Sequence, residues 1–148
     1  MTLPEPQLSK DQLQEILTLS FGEGVPIVDA VTNDGVIVRY QVNERHSRPG
    51  GTLSGPTMMM LADTAAWVAI MSRVGAELLA VTTSLTINFL RKPAVSDLIA
   101  EASLDKLGRK LGVVSVRLYS EGTRDLVATA SVTYARPSQP DNFSGLSV

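Results

Sequence analysis

The chain has 148 residues, of which 44% are hydrophobic and 19% charged, and a formal net charge of −2. That length suits one domain with a real core, and the charge balance offers no basic field for nucleic acid or an anionic membrane. There are no cysteines, which excludes disulfides, thiolate nucleophiles and thiolate metal sites.

The start, MTLPEPQLSKDQLQEIL, has no basic stretch leading into an apolar one, so it does not read as a secretory signal, and the expected location is cytoplasmic. Residues 1–8 read as a loose leader. Ser9 offers an N-cap with Gln12 placed as in a capping box, and Leu13, Ile16, Leu17 and Phe21 make a helical stripe, so a short amphipathic helix is expected over about 10–20. Gly22 and Gly24 end it. Strands are expected at 27–32 and 36–42, joined at Asn33-Asp34-Gly35, a strong hairpin signal. Residues 43–54, NERHSRPGGTLS, read as a loop of the kind that carries function.

A long helix should run from Ser54 or Gly55 to Arg73, with Ser54 as cap and Pro56 in the first turn. It is apolar nearly all round and should be buried on most sides. Strands are then expected at 80–90, 97–106, 112–120 and 126–134, and their spacing suggests an antiparallel meander. The tail, PSQPDNFSGLSV, reads as disordered. The division is thus a leader and short helix (1–23), one domain (24–136) and a flexible tail (137–148). The fold class is α+β, a mostly antiparallel sheet wrapped around a long central helix.

Asp63 is the only charged residue between Arg48 and Arg73, set in GPTMMMLADTAAWVAIMS. An ionised carboxylate is expensive to bury there unless it is paired, hydrogen-bonded or used in chemistry. Either it satisfies neighbouring polar groups or it works as a base or nucleophile. Gly55 either permits an unusual backbone angle or lets a ligand oxygen approach the helix N-terminus. Pro56 has no N–H, so a donor aimed at a carbonyl here is Gly55 or Thr57. Ser54, His46 and Asp63 make a hydrolase trio by composition, but without a nucleophile-elbow sequence, and Ser54 reads first as a cap. His46 and Arg48 are loop residues that either stay solvated or face the pocket. Met58, Met59, Met60 and Trp67 read as core or as pocket walls, the flexible methionines suited to irregular gaps. Thr64 either satisfies the helix backbone or contacts the substrate. The single histidine and the absence of clustered acids leave no metal site, and Gly50-Gly51 does not open a phosphate loop.

Three stretches, RPGGTLSGPTMMMLADTAAWVAI, VTTSLTINFLRKP and DKLGRKLGVVSVRLYSEGTRDLVATASVTYARP, resemble the hotdog-fold thioesterases, closest to the PaaI-like acyl-CoA thioesterases. The resemblance covers roughly residues 24–136. It implies a hotdog fold and hydrolysis of an acyl-CoA thioester without cofactor. In that family a His-Gly-Gly signature opens the long helix and an acid follows eight positions after its first glycine; here Gly55 and Asp63 match, while Ser54 and Pro56 replace the His and the second Gly. The resemblance implies that the Gly55 N–H polarises the thioester carbonyl and that Asp63 is nucleophile or general base. It implies a homodimer or homotetramer whose site lies between protomers. The family's preceding Asn or Gln falls on Arg48, with His46 just upstream. A water-orienting hydroxyl would be Thr82 or Thr83. Basic residues at turns, here Arg91, Lys92, Arg109 and Lys110, would bind coenzyme A phosphates and otherwise stay solvated. Two other readings stand beside this one: a non-catalytic acyl-CoA-binding module, and an enoyl-CoA hydratase with His46 as imidazole.

Overall fold

The computed structural model of the chain describes residues 2–42, 47–48 and 52–138. The first helix, α1 (Lys10–Phe21), starts on the expected capping box: the Ser9 N–H donates to Gln12 Oε1 at 3.0 Å and the Gln12 N–H to Ser9 Oγ at 3.2 Å. Its stripe of Leu13, Ile16 and Leu17 is fully buried. The preceding residues are tied down rather than loose. The Gln7 N–H donates to Ser72 O at 2.7 Å, and Leu3 and Leu8 pack on the core. Ser72 lies in the last turn of the long helix, whose carbonyls have no partner within the helix, so the leader supplies one.

Strands β1 (Ile27–Val31) and β2 (Gly35–Tyr40) form the expected hairpin, closed by the Thr32 N–H on Gly35 O at 2.9 Å. Gly35 matters for a second reason. It lies against the strand β6 (Leu98–Leu107), and a Cβ there would fall 1.8 Å from Ala102 O. Gly35→Ala should therefore force the two strands apart and destabilise the fold by about 1–3 kcal/mol. A urea midpoint equal to that of the wild type would refute this.

Part of the segment read as loop forms a small antiparallel pair, β3 (Ser47–Arg48) with β4 (Thr52–Leu53). The long helix α2 (Gly55–Val74) follows as expected, capped by Ser54. Its residues from Leu61 to Arg73 are buried apart from Asp63 and Thr64. Met59 and Met60 are exposed, so of the three consecutive methionines only Met58 belongs to the core.

The remaining strands are β5 (Val81–Phe89), β6, β7 (Leu111–Ser120) and β8 (Leu126–Ala135). The six long strands make one antiparallel sheet in the order β1-β2-β6-β7-β8-β5. The expected meander holds for β6-β7-β8 but not for β5, which pairs with β8 and forms an edge. The physical reason lies in the connections. Short turns at 108–110 and 121–125 fold neighbours back on themselves, whereas 90–97, with Pro93, is long enough to carry the chain across the sheet. That leaves β6 free to pair with β2, whose Val36 and Val38 are buried in the core cluster with α2. The architecture is a long helix clasped by a curved antiparallel sheet, the hotdog fold expected from the sequence.

Candidate active site

Asp63 sits on the third turn of α2, half-buried and facing the β5–β8 end of the sheet. Its Oδ1 accepts two hydrogen bonds, from Thr82 Oγ1 at 2.7 Å and from Tyr134 Oη at 2.8 Å. The Tyr134 hydroxyl also lies 3.1 Å from Asp63 O. Oδ2 accepts none among the described residues. The carboxylate is therefore held through one oxygen by neutral donors while the other stays available.

The sheet explains this placement. Thr82 on β5 stands directly opposite Tyr134 on β8, so both hydroxyls share one face. The register shifts between Thr82 and Ser84, leaving Thr83 as the extra residue of a bulge. The bulge separates the two threonines by role: Thr82 reaches Asp63, while the Thr83 hydroxyl donates to Thr133 O at 3.3 Å.

Tyr134 was not among the residues singled out from the sequence. Its signal was parity. It continues the inward set Ala128, Ala130 and Val132, so a phenol was due on the helix-facing side of the sheet. Burial first, and the adjacent Asp63 carboxylate after it, push this phenol above the ordinary tyrosine range. It is a proton donor throughout neutral pH. A raised folded-state pKa contributes stability that is full below the unfolded value of 10.0 and is lost as pH rises through the folded value. Tyr134→Phe should flatten the alkaline loss of stability above that pH, checked by urea unfolding between neutral and strongly alkaline solution. An alkaline limb identical to that of the wild type would count against it.

At the other end of β5, Gly55 opens α2 against the ring of Phe89; a Cβ on Gly55 would lie 3.3 Å from Phe89 Cζ. Three backbone nitrogens start the helix, and two are removed from play. Pro56 has no hydrogen, and the Thr57 N–H donates to Ser54 Oγ at 3.2 Å. Among the described residues Gly55 is left as the open donor at a helix N-terminus, where partial positive charge favours an oxyanion. Ser54 itself is a cap, its hydroxyl 2.9 Å from Thr57 Oγ1.

Asp63 and Gly55 are thus separate features of one helix. His46 lies outside the described residues, and Arg48 is described only as backbone in β3. The Thr64 hydroxyl contacts Met60 Sδ at 3.7 Å. Trp67 is buried, and its indole donates to Glu77 O at 3.0 Å. Glu77 is locked by Arg136, with contacts at 2.6 and 3.1 Å. Arg91 donates to Leu126 O at 2.9 Å and pairs with Asp125 at 3.6 Å. Arg109 and Lys110 are exposed on the β6–β7 turn, beside a cavity of about 560 Å³ that Arg136 also lines. The Arg136 N–H bonds Lys110 O, which puts this turn at the Tyr134 end of the sheet. No helix among the described residues is long and apolar enough to cross a membrane. No group of three or more potential metal ligands occurs among them.

A long helix clasped in such a sheet, with one tethered acid at its third turn, defines a hotdog protein. The family model that matches the chain is that of the thioesterase superfamily, over residues 50–127. The chain belongs to the thioesterase superfamily. It is similar to a protein of Pseudomonas aeruginosa described as an esterase, 33% identical over 103 residues, 69% of this chain and 75% of that one. Among solved structures, one from Silicibacter sp. TM1040 described as a thioesterase is 41% identical, with a TM-score of 0.84 over 90% of this chain and 94% of that one. A thioesterase of Haemophilus influenzae shares the fold with a TM-score of 0.80 at 19% identity, over 97% of this chain and all of its own. Membership of this superfamily, with such relatives, supports a hydrolase of acyl thioesters.

Proposed function

We propose that the chain is a PaaI-like acyl-CoA thioesterase, a cofactor-free homodimer or homotetramer that hydrolyses R–CO–S–CoA to the free acid and coenzyme A. The observation that carries this reading is the Asp63 carboxylate, tethered at Oδ1 by Thr82 and Tyr134 with Oδ2 open. Asp63 either takes a proton from the attacking water or attacks the carbonyl carbon itself. Either way the carbon–sulfur bond breaks, water supplies the new carboxyl oxygen, and coenzyme A leaves as thiol. The Gly55 N–H stabilises the developing oxyanion.

The two groups belong to different chains in this reading. They stand eight residues apart on α2, about 12 Å along a helix axis. A carbonyl carbon and its oxygen are only about 1.2 Å apart. One chain therefore lacks the geometry to serve both atoms. The β5 edge is the natural seam. Most of its residues are exposed, with Val81 58% and Phe89 50% accessible, and an unpaired edge with apolar side chains invites a second strand. Thr82 and Asp63 lie at one end of β5, Phe89 and Gly55 at the other. Antiparallel pairing of β5 with its copy about a twofold axis would bring Gly55 of the partner subunit to this Asp63. Arg109 and Lys110 would then stand at the same mouth as Arg91 and Lys92 of the partner subunit, cations suited to coenzyme A phosphates.

A thiol-release assay across short, long and aromatic acyl-CoAs tests the reading. Sustained multiple turnover is the expected result. Binding without turnover would favour the non-catalytic acyl-CoA-binding module, for which the replacement of the family histidine by Ser54 is the motive.

A further inference from the structure

Phe21 is the last residue of α1, yet unlike the rest of its apolar stripe it stays 65% exposed. Its ring stands edge-on to Trp67, with centroids 5.9 Å apart and planes at 68°. It walls two cavities at once. The first, about 240 Å³, is shared with Trp67, Leu78, Thr82 and Tyr134, so it is walled by the two residues whose hydroxyls hold Asp63. The second, about 280 Å³, is bounded by Val25, Pro26, Tyr40, Met60 and Thr64, with Glu23 and Gly24 of the α1–β1 turn on its rim. Among the described residues, Phe21 is the one that lines both. Met60, Thr64 and Trp67 follow each other at helical spacing on α2, so the two cavities lie in succession over one helix face with the Phe21 ring between them.

We propose that Phe21 is the partition that sets acyl-chain length. This rests on an acyl thioester binding at Asp63, whether or not it is hydrolysed there. The cavity beside Thr82 and Tyr134 takes the acyl carbons nearest the carbonyl, and the ring stops a longer chain from running on into the second. Each cavity alone falls short of the roughly 300 Å³ of an ordinary small-ligand site, whereas joined they exceed it. The occupant is the hydrocarbon tail of the acyl group: Val25, Pro26 and Met60 give the second cavity an apolar wall, and the flexible thioether adapts to chains of different length. Trp67 is fixed through its indole N–H on Glu77 O and cannot yield, so the exposed ring of Phe21 is the movable half of the aromatic pair.

The test is a chain-length series of acyl-CoAs with Phe21→Ala, which joins the cavities, and Phe21→Trp, which thickens the wall. The long-to-short ratio of kcat/KM should rise about tenfold or more in the first, since a pocket gains that much per methylene it newly holds. The ratio should fall in the second. In parallel, non-hydrolysable S-alkyl-CoA thioethers of the same lengths are titrated into Asp63→Asn with and without Phe21→Ala. If no thioester is turned over but Phe21→Ala still shifts thioether affinity towards longer alkyl chains, the partition stands and the hydrolytic reading falls. If neither variant moves the kcat/KM ratio and the thioether series is unchanged, the partition is overturned.

Discussion

Asp63→Asn should fold like the wild type and lose acyl-CoA turnover by about 10²- to 10⁴-fold. The substitution is close to isosteric. The remaining amide oxygen can still accept from Thr82 and Tyr134, which in the wild type donate at 2.7 and 2.8 Å. What disappears is the second carboxylate oxygen, replaced by an amide that neither takes a proton nor attacks a carbonyl. Because the tether survives, a loss of turnover with an unchanged urea midpoint reads as chemistry rather than misfolding. Thiol release at the wild-type rate would remove Asp63 from the mechanism.

The second large effect is recovery of activity from two inactive proteins. Gly55→Val places a branched side chain where a Cβ already lies 3.3 Å from the Phe89 ring, crowding the approach to the open N–H. Gly55→Val and Asp63→Asn should each be nearly inactive alone. If the site combines Gly55 of one chain with Asp63 of the other, random mixing makes half of the dimers mixed, each with one intact site. Unfolding and refolding the two together should then restore about a quarter of wild-type turnover. A site built within one chain predicts no recovery, because neither chain carries both groups. Failure to recover, with mixed dimers demonstrated by mass, would refute the shared site.

Much of the fold was legible because its signals are local. The Ser9–Gln12 capping box, the Asn33-Asp34-Gly35 turn, and Ser54 before Pro56 each mark a boundary through hydrogen bonds or backbone angles within a few residues. Asp63 stood out for a similar reason, as one charge in an apolar helix. Its setting was harder to read. The expectation was a carboxylate within a helix buried on most sides; the structure has it half-buried, with neutral hydroxyls of β5 and β8 as its donors. Between Thr82 and Thr83 the sequence offered no choice, because alternation along β5 is broken by a bulge that only the pairing with β8 reveals. The docking of the leader on Ser72 O was equally hidden, since it depends on where the long helix ends in space.

By itself, then, the sequence determined the long capped helix, the six long strands around it, the isolated acid, and Gly55 or Thr57 as the donor that Pro56 leaves at the helix start. Each follows from periodicity, from a turn or cap, or from the cost of burying a charge. Only the tertiary structure decided that β5 lies beside β8, that Tyr134 and Thr82 hold Asp63 by one oxygen, and that Phe21 stands between two cavities. These depend on contacts between residues distant in the chain, Asp63 with Tyr134 above all. Which distant strand or side chain becomes the partner is settled by packing the whole sheet around the helix at once, not by any short stretch of it.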